Sequence, residues 1–149
     1  MPLYKKILVA IDVSEESEQV LETAADLAAA NNAELSIIHV AQKPVSPYVE
    51  LYGAAIPYSK TQIRENLFGS LSVWVEAAGL SKSLIQIDFG GAIDIIIDRA
   101  KSFDADLILL GSHGRHGIKL LLGSTANGVL HHANCDVLAV RIRELIDQP

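Results

Sequence analysis

Five short apolar runs recur along this chain, separated by stretches with helical periodicity, and that alternation leaves few folds open. Continuous apolar runs of this length read as strands buried on both faces, the pattern of a parallel sheet. They fall at residues 6–11, 34–40, 84–88, 106–110 and 136–140. Between them the spacing predicts helices over 15–30, 59–78 and 92–101, and a fourth from Ser124 to about His132. In the first, Val20, Leu21, Ala24, Leu27 and Ala28 share one stripe, and Asn31-Asn32 ends it. In the second, Ile63, Leu67, Leu71, Trp74 and Val75 do the same, with Gly79 as the stop. The expectation is an α/β chain with an open five-stranded parallel sheet, right-handed crossovers and helices on both faces.

At 149 residues the chain has the usual size of one domain, taken here as residues 1–149. No run approaches the length of a membrane span. After Lys5 and Lys6 the apolar stretch lasts only from Ile7 to Ile11 before Asp12 breaks it, too short for a secretory leader. A single cysteine, Cys135, excludes an intramolecular disulfide and reads as packing, so a cytoplasmic location is the expectation. Residues 41–58 carry Pro44, Pro47, Pro57, Tyr48 and Tyr52 and are too proline-rich for helix. They read as an irregular surface segment, close enough in sequence to the second strand to cover a site at its end.

Charge is distributed unevenly. The chain is acidic, with 18 Asp+Glu against 12 Lys+Arg, yet no acid occurs from Leu107 through Cys135. That window instead holds Arg115, Lys119, His113, His116, His131 and His132. A local electropositive site in an acidic chain suits a small anion and argues against nucleic acid, which needs an extended basic face.

Within the window, Leu107 to Leu110 is an apolar strand, Gly111, Gly114 and Gly117 punctuate a loop, and Gly123-Ser124-Thr125 opens a helix. Glycines permit close approach of the backbone to a ligand, and a helix start offers unpaired N–H groups to an anion. The first helix is a poorer anion site, because Ser14-Glu15-Glu16 puts carboxylates at its positive end. Ser124 therefore has two open roles, phosphate contact and N-cap. Asp12, at the end of the first strand, also has two: it accepts a ribose hydroxyl or positions Mg²⁺ on phosphates, or it holds the turn before Ser14. Ligands of open α/β sheets bind beyond the carboxyl ends of strands where the winding reverses. If the first and fourth strands are neighbours, Asp12 and Gly111 share one crevice.

Two familiar phosphate motifs are absent. The residue before Ser124 is Gly123, where a P-loop needs lysine, and the first strand is followed by Asp-Val-Ser-Glu-Glu, where a dinucleotide fingerprint needs glycines. No general base is evident beyond His113 and His116, so rapid hydrolysis is not expected.

Four blocks, in this order and spacing, resemble the universal stress protein family over almost the full length. They are Lys6-Ile-Leu-Val-Ala-Ile-Asp12, Leu35-Ser-Ile-Ile-His-Val40, Ala105-Asp-Leu-Ile-Leu-Leu-Gly-Ser-His-Gly-Arg115, and Leu122-Gly-Ser-Thr125 leading to Cys135-Asp-Val-Leu-Ala-Val-Arg141. The resemblance implies an adenine-nucleotide α-hydrolase-like fold, commonly dimeric through the last strand, here Asp136 to Arg141. It implies ATP, ADP or AMP as ligand, with Mg²⁺ at Asp12. Adenine would lie beside Asp12 and Val40, ribose near Asp12 and Gly111, and phosphates on His113, Gly114, Arg115, Gly123, Ser124 and Thr125, with Leu110 also among the nucleotide-binding residues. The family's binders carry Gly-x-x-Gly and then Gly-Ser/Thr. Gly111-x-x-Gly114 matches, but Arg115 to Leu122 is eight residues, one fewer than the binders have there.

Three readings follow. The first is a dimeric, cytoplasmic nucleotide sensor that presents a changed surface to a protein partner during stress. The second is an interaction protein of the same fold that binds no nucleotide, and the third is a weak ATPase.

Overall fold

The computed structural model describes residues 2–42, 59–112 and 122–143. The elements run β1 (Lys6–Ala10), α1 (Ser17–Asn31), β2 (Glu34–Ala41), α2 (Lys60–Ala77), β3 (Ile85–Phe89), α3 (Ala92–Phe103), β4 (Leu107–Gly111), α4 (Ser124–His132) and β5 (Asp136–Val140). A short 3₁₀ turn, Lys82–Leu84, precedes β3 and is capped by Ser81, which moves the strand's start one residue beyond the sequence expectation. The expected irregular segment at 41–58 lies, after β2 ends at Ala41, almost entirely outside the described residues.

The five strands form one sheet in the order β3-β2-β1-β4-β5. Every pairing is parallel, with Ala10 opposite Ile38, Val9 opposite Leu109, Val40 opposite Asp88 and Leu109 opposite Leu138. Successive side chains of a strand face opposite sides of a sheet, and here both sides are covered. Ile7 and Val9 of β1 join Val20, Leu21 and Ala24 of α1 and Leu71 and Val75 of α2 in one core cluster. Leu8 joins Ile38, Ile108, Ile96 and Ala100 of α3, and Ala126 and Val129 of α4 in the other. Burial on both faces is the physical reason the strands read as unbroken apolar runs.

Local chemistry sets the helix ends. Ser59 precedes α2 in an extended conformation and its hydroxyl accepts from the Gln62 N–H at 3.1 Å. Asn32 and Asp104 adopt left-handed conformations after α1 and α3, and Gly79 does so just past α2, where the absence of a Cβ removes the strain. The α3 helix runs two residues past its expected end because Asp104, not Lys101, closes it. In α1, residues 14–17 form a turn and the helix proper starts at Ser17. Among the described residues no helix is long and apolar enough to cross a membrane.

Candidate functional site

β1 lies between β2 and β4, so the chain leaves β1 toward one edge of the sheet and later returns on β1's other side. α1 and α2 cover one face and α3 and α4 the other. The winding therefore reverses between β1 and β4, and the carboxyl ends of these two strands open into a cleft, as the sequence reading required for Asp12 and Gly111 to meet. A cavity of about 220 Å³ occupies this position.

Three walls enclose it. Asp12, Glu16 and Ser17 supply the first, at the end of β1 and the start of α1. His39 and Val40 supply the second, and Leu110, Gly111, Gly123, Ser124 and Thr125 the third. The structure thus brings together Asp12, Val40, Leu110, Gly111, Gly123, Ser124 and Thr125 around one cavity. His113, Gly114 and Arg115 lie outside the described residues.

The first wall is built by serines. The Ser14 hydroxyl donates to Asp12 Oδ1, and Ser17 Oγ sits 2.7 Å from the Asp12 carbonyl oxygen and 3.1 Å from Oδ1. Ser17 Oγ also receives the Asp12 N–H at 3.2 Å. The carboxylate is therefore held by hydroxyl groups of the following turn. This is a turn-holding role of the kind weighed from the sequence, carried out through serine side chains. Glu16, the residue before α1, has its Oε2 buried without a hydrogen-bond partner among the described residues.

On the second wall, the buried His39 ring places Nδ1 2.8 Å from the Ile11 carbonyl oxygen, fixing the end of β1 against β2. The Ile38 carbonyl accepts from Ile11 N–H at 3.0 Å. By strand alternation the backbone of Val40 also faces the β1 side, where β1 has already ended. Its N–H and C=O thus stand at the edge of the cavity, suited to reading the edge of a planar base.

The third wall starts at the end of β4. Gly123 N–H donates to the Ser112 carbonyl at 2.6 Å, bringing the start of α4 against the strand. Gly123 is the N-cap and has no side chain to cap with, so of the two roles left open for Ser124 the N-cap is excluded: Ser124 is the first helical residue. The N–H groups of Ser124, Thr125 and Ala126 precede the first intrahelical bond, which Asn127 makes to the Gly123 carbonyl at 2.9 Å. No acid lies in this first turn, while His131 and His132 sit in the last, where positive charge complements the helix dipole. His132 Nδ1 lies 2.8 Å from the Gly128 carbonyl oxygen, in keeping with a capping and surface role.

The sequence reading missed His39, Glu16 and Ser17. A histidine inside an apolar strand was the available signal for the first, and the Asp-x-Ser-x-x-Ser spacing for the third.

A model of the universal stress protein family, by that description, matches residues 3–141. The chain belongs to this family. It is similar to universal stress protein A homolog 2 of Coxiella burnetii, 41% identical over 145 residues, covering 96% of this chain and 99% of that protein. Among solved structures it resembles a universal stress protein in complex with cAMP, with a TM-score of 0.61 and 26% identity, covering 93% of this chain and 97% of that one. The fold is also that of the universal stress protein UspA from Lactobacillus plantarum, with a TM-score of 0.71 at 23% identity, over 93% of this chain and 98% of that one.

Proposed function

We propose that this protein binds an adenine nucleotide in the β1–β4 cleft and acts as a nucleotide-responsive regulator, not as a fast enzyme. The observation that carries the reading is the polarity of the cleft: open N–H groups of α4 on one side, and the carboxylates of Asp12 and Glu16 on the other. A ligand anionic at one end and rich in hydroxyl donors at the other fits that polarity. The adenine edge would meet the Val40 backbone, and the phosphates would meet Gly123, Ser124 and Thr125 with help from His113, Gly114 and Arg115. The relative solved with cAMP supports the ligand class.

Among the described residues no group of three or more His, Cys, Asp or Glu could hold a metal by itself. Mg²⁺ would therefore arrive with the nucleotide, held by phosphate and water oxygens and one protein carboxylate, Asp12, as is usual for this ion.

The dimer proposed from the sequence rests on β5, which forms one edge of the sheet and leaves Leu138 37% exposed, with Leu130 on α4 53% exposed. An edge strand with apolar flanks suits pairing with the same strand of a second copy, which closes at two subunits. A cytoplasmic location and a protein partner belong to the same proposal.

Calorimetric titration of ATP, ADP, AMP and GTP with Mg²⁺ tests it. One site per chain, micromolar-range affinity for an adenine nucleotide and weaker GTP binding are expected. No heat and no thermal shift with any adenine nucleotide would leave the interaction-protein reading, which the engagement of Asp12 Oδ1 by its own serines favours. Turnover of bound ATP at about 1 s⁻¹ or faster would make the protein an enzyme.

A further inference from the structure

Glu16 stands out among the cleft residues because its Oε2 is buried yet has no hydrogen-bond partner among the described residues. A buried carboxylate oxygen without a donor is costly, and sites of this kind are made good when a donor arrives. The position of Glu16 says which part of a nucleotide could supply it. Val40 belongs to β2, Asp12 follows β1, Glu16 is the residue before α1, and Gly123 to Thr125 are held against β4. With strands about 4.8 Å apart, base, sugar and phosphate follow one another across β2, β1 and β4. The acidic wall of Asp12 and Glu16, between the end of β1 and the start of α1, would then be level with the sugar, and its charge would repel phosphate.

We infer that Glu16 is a specificity-determining residue that accepts a hydrogen bond from a ribose hydroxyl of the bound nucleotide, so that the cleft selects ribonucleotides over a deoxy form. The inference rests on the nucleotide reading above and adds a residue to it. Asp12 is tied to its own turn through Oδ1, whereas the buried Oε2 of Glu16 has no hydrogen-bond partner among the described residues.

The test is calorimetric titration of ATP, 2′-deoxy-ATP and 3′-deoxy-ATP into the wild-type protein and into Glu16→Gln. Replacing the carboxylate by the amide keeps size and shape and removes the charge that strengthens the bond. ATP affinity should fall about tenfold in the variant. One of the deoxynucleotides should bind the wild type more weakly than ATP does, and should bind the two proteins equally, because the hydroxyl that meets Glu16 is gone. Equal ATP affinity in the two proteins overturns the inference. So does an equal loss for all three ligands, which would make Glu16 structural. Should the variant not fold, the wild type decides alone: indifference to both missing hydroxyls overturns the inference and leaves the nucleotide reading standing. If no adenine nucleotide binds the wild type, the nucleotide reading itself has failed.

Discussion

Gly123 donates its backbone N–H to the Ser112 carbonyl at 2.6 Å, so the first turn of α4 is fixed to the end of β4. The bond spends the N–H of the capping residue on the sheet and leaves those of Ser124, Thr125 and Ala126 ahead of the helix. An anion bound at this helix start would meet groups whose position the sheet determines, which would lower the ordering cost of binding it.

Replacing Gly123 with valine should weaken ATP binding by about tenfold or more, since a branched side chain would stand where phosphate approaches. The fold should survive. Gly123 has φ −64° and ψ 156°, a conformation open to any residue. Calorimetry and a thermal melt on the same preparation check both halves, and unchanged affinity in the folded variant would put the phosphates elsewhere.

Ser124→Ala separates ligand contact from capping. An N-cap serine lost to alanine costs about 1 kcal/mol, but the cap here is Gly123. Stability should thus change by less than about 0.5 kcal/mol, as for ordinary surface positions. ATP affinity should fall, though less than in Gly123→Val. A urea-unfolding loss near the full capping value would restore Ser124 as the cap.

At Gly128, α4 packs against Ile93 of α3. A Cβ built there would overlap Cδ1 and Cγ1 of Ile93. Gly128→Val should therefore destabilise the protein by about 1–3 kcal/mol, the usual range for overpacking. Chemical denaturation should show the midpoint falling with an unchanged slope, and a midpoint equal to the wild type's would mean that Ile93 can move aside freely.

The dimer makes a residue-specific prediction. Val140 offers its carbonyl to Ser112 N–H at 2.7 Å, so alternation points the backbone groups of Leu138 toward β4 and those of Val137 and Ala139 toward the open edge. Ala139→Pro should abolish self-association and spare the sheet. Leu138→Pro should instead damage the β4–β5 ladder. Light scattering at tens of micromolar distinguishes them; a dimeric, folded Ala139→Pro variant would exclude this interface.

Cys135 supplies a pH dependence. Burial raises its thiol pKa above the ordinary value of 9.0, with Asp136 and Asp106 adding to the effect and a backbone hydrogen bond from Ile108 opposing it. A raised pKa keeps less thiolate at neutral pH, and the thiolate is the nucleophile. Alkylation by iodoacetamide at pH 7.5 should be slower in the folded protein than in guanidinium, with its rise shifted to higher pH. Equal rates would show that the site does not protect the thiol.

Much of this fold was legible because both faces of the sheet are covered. Ile7, Leu8 and Val9 are all buried, so β1 reads as a strand with no need of alternation. The adjacency of β1 and β4 was only a condition in the sequence, since it depends on a long-range pairing such as Val9 with Leu109 that no local pattern encodes. Side-chain directions at chain reversals were also beyond reach. Glu15 and Glu16 looked alike as repellent charges at a helix start, and only the turn at residues 14–17 separates an exposed Glu15 from a Glu16 turned into the cleft. The fourth helix starts at Ser124, where the spacing put it, but of the two roles open to that serine the N-cap position falls to Gly123, which residue preference did not reveal.

A crystal structure of the protein grown with ATP and Mg²⁺ tests the nucleotide site most directly. The expected result is the base at the Val40 backbone and phosphate oxygens within hydrogen-bond distance of the Ser124 and Thr125 N–H groups. Nucleotide bound away from the β1–β4 cleft, or a cleft left empty at saturating ATP, would contradict it.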